Sequence, residues 1–152
     1  MIKTVIQISA LMLCILFLNE VFLTAKLPDR YEWSGINEID EEFEKSKNDK
    51  RPLIIFFHVD WCGYCRKFNK EFLNDDKVYG YLSQFRMVQI NPEDGVRERA
   101  VFKQYGGTGY PTFLITYPHN GNKKNIQPFR GGKVQSTDKF ISRLQAAIET
   151  YK

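Results

Sequence analysis

Cys62 and Cys65 are the residues of this chain best suited to do chemistry, because two thiols two residues apart can close and reopen a disulfide. They stand in Trp61-Cys62-Gly63-Tyr64-Cys65, just after the apolar run Leu53–Val59. That run, bounded by Pro52 and Asp60, predicts a strand buried on both faces. A helix is predicted from near Cys62 to about Leu73, with Phe68 and Phe72 on one side. At a helix N-terminus the unpaired N–H groups and the helix dipole favour a thiolate on the first cysteine. Cys62 is then the exposed attacker. Cys65, inside the first turn and more buried, resolves the mixed disulfide. Two other uses of the pair stay open. Zinc would need both histidines, His58 and His119, to complete a tetrahedral site. A structural bridge would close a loop too small to restrain the unfolded chain much.

The elements that must position this pair follow from periodicity. Ile36, Ile39 and Phe43 recur at helical spacing among acidic residues, predicting an amphipathic helix over Ile36–Lys47. A second turn or helix is expected over Asp76–Leu82, a strand over Arg86–Asn91, and a short helix over Val96–Tyr105 stopped by Gly106-Gly107. Thr112–Tyr117 predicts a third strand, and Asn120-Gly121 has hairpin-turn chemistry, with Ile126–Arg130 returning. Ser136 is a plausible N-cap for a last helix through Thr150, whose stripe is Phe140, Ile141, Leu144, Ala147 and Ile148. Strands separated by helices imply parallel crossovers, and the late hairpin adds an antiparallel edge. The expected fold class is therefore α/β, with a central mixed sheet of about four to five strands flanked by helices.

Composition agrees with one ordinary domain. The chain has 152 residues, 43% hydrophobic and 26% charged, enough for a real core and neither disordered nor collagen-like. Three cysteines cannot build a dense disulfide scaffold. The net charge of +4 is small and no Lys/Arg block appears, so a nucleic-acid partner is not expected. Residues 1–25 stand apart. Lys3 precedes Val5–Leu18, which is apolar except for Gln7 and Ser9, and Ala25 precedes the polar chain. This pattern predicts a secretory signal, with an uncleaved membrane anchor as the rival, and residues 26–152 as the domain. Cys14 belongs to that leader, whose removal takes one Lys and one Glu and leaves the charge unchanged. Export implies an oxidising compartment.

The next signal is Gly109-Tyr110-Pro111-Thr112, where a proline opens a strand and could be cis. At this point the chain resembles the thioredoxin superfamily. The matching residues are Leu53–Val59, Trp61-Cys62-Gly63-Tyr64-Cys65, the strand ending at Asn91, Tyr105-Gly106, Gly109-Tyr110-Pro111-Thr112 and Gly131-Gly132. The stretch Glu71–Val78 followed by Tyr81-Leu82 is similar to exported bacterial members such as the C-terminal domain of DsbD. The segment Pro52–Cys65 also looks like small secretory-pathway thioredoxins.

The resemblance implies a single thioredoxin-like domain working as a thiol–disulfide oxidoreductase outside the cytoplasm, in the periplasm or an equivalent space. It implies Cys62 as nucleophile, Cys65 as resolving cysteine and Pro111 as a cis-proline facing the disulfide. Tyr110 would pair its backbone with an extended client segment, and Trp61 would cover the site. Partners would be protein thiols and disulfides plus a membrane or soluble thiol donor. The membrane would be met only through an N-terminal anchor, and no metal or organic cofactor is required. Two departures matter. Most relatives place a buried carboxylate six residues before the first cysteine, where this chain has Phe56. His58, on the same strand face, is a candidate to handle protons or favour the Cys62 thiolate. The dipeptide Gly63-Tyr64, as in the isomerase DsbC, offers no cation, so an intermediate potential is expected. Arg66 and Lys67 could help hold Cys62 ionised, or form a solvated helix face. Isomerase or oxidase activity, and a non-enzymatic binding module or redox sensor, are the competing readings.

Overall fold

The computed structural model describes residues 30–126, 129–130 and 133–149. The expected leader at residues 1–25 and Gly131-Gly132 lie outside the described residues. A compact unit begins at Tyr31. A short 3-10 turn at Ile36–Glu38 leads into α1 (Ile39–Asp49), followed by β1 (Leu53–Phe57) and α2 (Gly63–Phe68). A π-helical turn, Asn69–Leu73, extends α2. Then come α3 (Asp76–Leu82), β2 (Arg86–Ile90), α4 (Val96–Gln104), β3 (Thr112–Tyr117) and β4 (Asn122–Asn125). A small hairpin of β5 (Phe129–Arg130) and β6 (Lys133–Val134) precedes α5 (Thr137–Glu149).

The sheet is four-stranded and mixed, in the order β2-β1-β3-β4. Every residue of β1 is buried, as its unbroken apolar run requires. Period-2 alternation sorts its side chains onto two faces. Ile54 and Phe56 face one core together with Phe68 and Phe72, Val78 and Leu82 of α3, and Phe140 and Leu144 of α5. Leu53, Ile55 and Phe57 face a second core with Ile39 of α1 and Phe102 of α4. Helices therefore cover both faces.

Two expectations are corrected. The helix between β2 and β3 does not make a parallel crossover: β1 and β2 are parallel, but β3 runs antiparallel to β1. Residues 105–111 carry the chain back to the end of the sheet where β1 stops, so β3 can only run away from it. The returning strand is Asn122–Asn125 rather than Ile126–Arg130. Gly121, at φ +73°, turns the chain so tightly that pairing resumes at Asn122. The polar sequence Asn-Lys-Lys-Asn hid this strand because it is an edge with solvent beside it. Ile126 ends the ladder, donating its N–H to Phe113 O at 2.9 Å, and Phe129–Arg130 pairs with Lys133–Val134 instead.

The remaining helices use ordinary local devices. Asp75 caps α3, accepting from the N–H groups of Lys77 and Val78. Ser136 Oγ accepts from Lys139 N at 3.3 Å at the start of α5. Arg86 binds α1 to the sheet, donating to Glu42 at 3.2 Å and to Asp49 at 2.7 Å.

The helix carrying the cysteines is anchored by Phe68, which is fully buried. Its ring lies 5.0–5.7 Å from those of Phe56, Phe72, Phe113 and Phe140. Phe68→Ala should destabilise the oxidised protein by about 3–5 kcal/mol, read as a lower denaturation midpoint at unchanged slope. A loss under ~1 kcal/mol would show that α2 is held elsewhere.

Candidate active site

The site forms where three strand ends meet. Phe57, the last residue of β1, pairs with Ile90 at the end of β2 and with Thr112 at the start of β3. The segments leaving or entering there are His58–Cys65, Asn91–Gly95 and Gly109–Pro111. Cys62 and Cys65 are joined as a disulfide. Cys62 is in extended conformation and caps α2, and its Sγ accepts the Cys65 N–H at 3.0 Å. An N–H donor so placed favours negative charge on the Cys62 sulfur.

Cys62 is less open than expected. It is 5% exposed, against 3% for Cys65. Val59 and the two cysteines form a small buried cluster of their own, with half-buried Tyr110 packed against it. The Tyr110–Pro111 peptide is cis, Pro111 is buried, and the Thr112 hydroxyl donates to Gly109 O at 2.7 Å.

Aromatic rings stand on two sides of the bridge. On one, Trp61 meets Tyr110 edge to face at 6.1 Å, and Tyr110 stacks on Phe102 at 5.1 Å. Gly107 permits that stack, since a Cβ there would collide with the Phe102 ring. The Trp61 indole N–H donates to Glu93 at 2.9 Å, although the residue is 66% exposed. On the other side Tyr64, 48% exposed, rests against Phe129 at 5.1 Å. Gly63 is exposed between them. Glu93, Phe102 and Phe129 were not foreseen as site residues. They meet Trp61, Tyr110 and Tyr64 only through strand pairing and the β5–β6 hairpin, and no local motif marks them.

His58 lies on the Phe56 face, its ring stacked on Phe56 at 5.0 Å. Phe56 itself is enclosed by Trp33, Phe68 and Phe113, so an aromatic cluster fills the place where relatives keep a carboxylate. Burial holds the imidazole below its ordinary value of 6.5, against the opposing pull of Asp60 and Asp94. His58 is therefore neutral at pH 7 and is available as an acceptor rather than as a cation. His119 sits near the Tyr117 end of β3, away from His58, so the two histidines cannot complete one metal site with the cysteines.

The sequence profile of the thioredoxin-like family matches residues 33–118, more than half of the chain. This chain belongs to the thioredoxin-like family. The thioredoxin-like chain is 30% identical over 113 residues to a mitochondrial thioredoxin domain-containing protein of Schizosaccharomyces pombe, covering 71% of this chain and 30% of that protein. It is 26% identical over 117 residues to the thiol:disulfide interchange protein DsbD of Ralstonia nicotianae, covering 76% and 19%. It thus spans less than a third of either curated relative. The oxidised C-terminal domain of Neisseria meningitidis DsbD has the same fold, with a TM-score of 0.60 at 22% identity over 80% of this chain and 100% of that one. Among the described residues no helix is long and apolar enough to cross a membrane.

A neutral, depressed His58 has a consequence for stability. The unfolded chain takes up its proton near pH 6.5, before the folded one does. The contribution is complete above that pH and is lost as pH falls through the folded value. The thermal midpoint of the oxidised protein should fall below pH 6.5, and His58→Phe should flatten that segment of the curve. Parallel curves for the two proteins would refute the assignment.

Proposed function

We propose that this thioredoxin-like chain is a thiol–disulfide oxidoreductase that reduces disulfides of client proteins outside the cytoplasm. The observation that carries the reading is the Cys62–Cys65 bridge at the cap of α2, packed against Tyr110 of a cis Tyr110–Pro111 unit. The naming of DsbD as a thiol:disulfide interchange protein supports the chemistry. The apolar leader of residues 1–25 supports export or an N-terminal anchor.

The chemistry runs in two balanced steps. The Cys62 thiolate attacks one client sulfur, an S–S bond forms to Cys62, and the client's other sulfur leaves as a thiolate that takes up a proton. Cys65 then loses its proton and attacks Cys62 Sγ, releasing the second client thiolate. Two electrons pass to the client, and the pair ends as the bridge seen here. The reverse sequence oxidises a client dithiol. A thiol donor, membrane-bound or soluble, returns the pair to its reduced form, and the exchange needs no metal or organic cofactor.

The neighbouring residues have separate tasks. The Cys65 N–H stabilises sulfur charge at Cys62. Pro111 faces the disulfide, and the Tyr110 backbone offers hydrogen bonds to an extended client. Trp61 and Tyr64 present aromatic surface beside the pair, and Gly63 keeps the approach open. Neutral His58 accepts the proton that Cys65 gives up, replacing the carboxylate that Phe56 excludes.

The reading predicts that reduced wild type accelerates dithiothreitol-driven insulin reduction and that Cys62→Ser abolishes the acceleration. Cys65→Ser should trap clients as mixed disulfides on Cys62. Equal rates for wild type and Cys62→Ser would favour a binding module instead. The potential of the pair sets the direction: near ~−270 mV it reduces, and near ~−120 mV it oxidises.

A further inference from the structure

The sheet has two edges, and the described residues pair with one of them. Along β2, Ser34 of the lead-in bridges Val88, donating to Met87 O and accepting from Gln89 N, each at 3.0 Å. Along β4 no strand pairs with the outer edge among the described residues. Which groups face outward follows from the ladder. Ile126 donates to Phe113 O, so Phe113 and Ile126 form a hydrogen-bonded pair. Such pairs alternate in an antiparallel ladder. The N–H and C=O of Lys124 therefore turn toward β3, and those of Lys123 and Asn125 turn outward. Arg143 of α5 already donates to the Asn125 carbonyl at 3.4 Å. The N–H and C=O of Lys123 are the groups that remain for a further strand.

The side chains at this edge carry uncompensated positive charge. Lys45, Lys47, Lys67 and Lys77 each have a carboxylate within 3.8 Å. Among the described residues no carboxylate pairs with Lys123 or with half-buried Lys124. Lys123 stands opposite Thr116 and Asn125 opposite Leu114, on the face of the second core. Lys124 stands opposite Ile115, on the face of the first, so the lysines flank the edge on both faces. Arg143 adds a cation at the Asn125 end. A cavity of about 210 Å³ opens beside the strand, lined by Tyr105, Gly106, Leu114, Lys123, Lys124 and Asn125. Buried Leu114 gives it an apolar floor, and the Lys123 ammonium lies 5.6 Å from the centre of the Tyr105 ring. Lysines alone on an edge strand ward off pairing with like copies. A socket with an apolar floor beside them adds nothing to that defence, but it can receive a side chain.

We propose that β4 is a docking edge for a partner protein: an extended acidic segment adds beside Lys123 as a further strand and places one apolar side chain in the cavity. Main-chain hydrogen bonds to Lys123 hold the segment, and the cavity selects its register. Carboxylates of the segment meet Lys123 and Lys124. A second copy of this chain does not fit, because pairing two β4 edges sets Lys123 and Lys124 of one copy beside the same lysines of the other. The redox pair lies at the Thr112 end of β3, whereas Lys123 pairs with Thr116 near the opposite end. Both places can be occupied together, so the docking edge does not depend on the direction of electron flow.

The test uses the full chain and a fluorescein-labelled octapeptide of alternating Glu and Val, with the Lys-Val octapeptide as its counterpart. Fluorescence anisotropy reads binding. The acidic peptide should bind, and the basic one should bind at least about tenfold more weakly at low salt. The double variant Lys123→Glu, Lys124→Glu should weaken the acidic peptide by about tenfold or more. Lys123→Pro removes the outward N–H without breaking a bond to β3, and should weaken it by about fivefold. One further reading needs no variant: saturating acidic peptide should slow hydrogen exchange at the Lys123 amide by about fivefold or more. No binding of the acidic peptide up to about 1 mM overturns the proposal. Equal binding of the two peptides overturns the acidic character of the partner. An unprotected Lys123 amide in the bound state overturns strand addition. A dimer of the peptide-free chain that the double variant dissociates gives the edge to a second copy and overturns the proposal as well.

Discussion

The double pairing of β1 is the constraint on which the rest of this molecule depends. The strand is hydrogen-bonded along both edges and buried on both faces, so it has no freedom to shift. A slip of one residue would exchange the two cores, placing Phe56 among the partners of Phe57. Because Phe57 pairs with both Ile90 and Thr112, three chain segments must emerge at one point. The cysteine loop, the Glu93 loop and the Tyr110–Pro111 turn are neighbours for that reason alone. The antiparallel run of β3 is thus also the device that delivers Tyr110 to the bridge.

The aromatic core sets the electrical character of the site. With Phe56 enclosed by other rings, no carboxylate stands beneath the cysteines at that position. His58, stacked on Phe56, is partly withdrawn from water and kept neutral in spite of nearby acids. Burial outweighs Coulomb attraction here, because Asp60 and Asp94 act from solvent-exposed positions.

The exposed rings near the bridge are ordered rather than loose. Trp61 is held by Glu93 and Tyr110, and Tyr110 by Phe102, which itself fits only because Gly107 lacks a side chain. Tyr64 leans on Phe129, whose ring in turn packs near Phe68 and Phe72. Each exposed ring is thus backed by buried apolar surface. Preorganised aromatic area of this kind loses little entropy when another chain packs on it.

Much of this was legible in the sequence because it is carried by contiguous residues. The Leu53–Phe57 run, the Cys62–Cys65 spacing, the Asn120-Gly121 turn and the stripe of α5 each report local structure through composition or period. Cys62 as the cap of α2, and the shared face of Phe56 and His58, follow from the same local rules. Other features depend on which chain segments the sheet brings together. The direction of β3, the polar edge strand Asn122–Asn125, and the near-equal burial of Cys62 and Cys65 leave no local trace. Neither do the contacts of Glu93 with Trp61 or of Phe129 with Tyr64. Sequence alone determined which groups could react. Tertiary structure decided what surrounds them, because strand pairing joins residues far apart in the chain and burial then sets their charge.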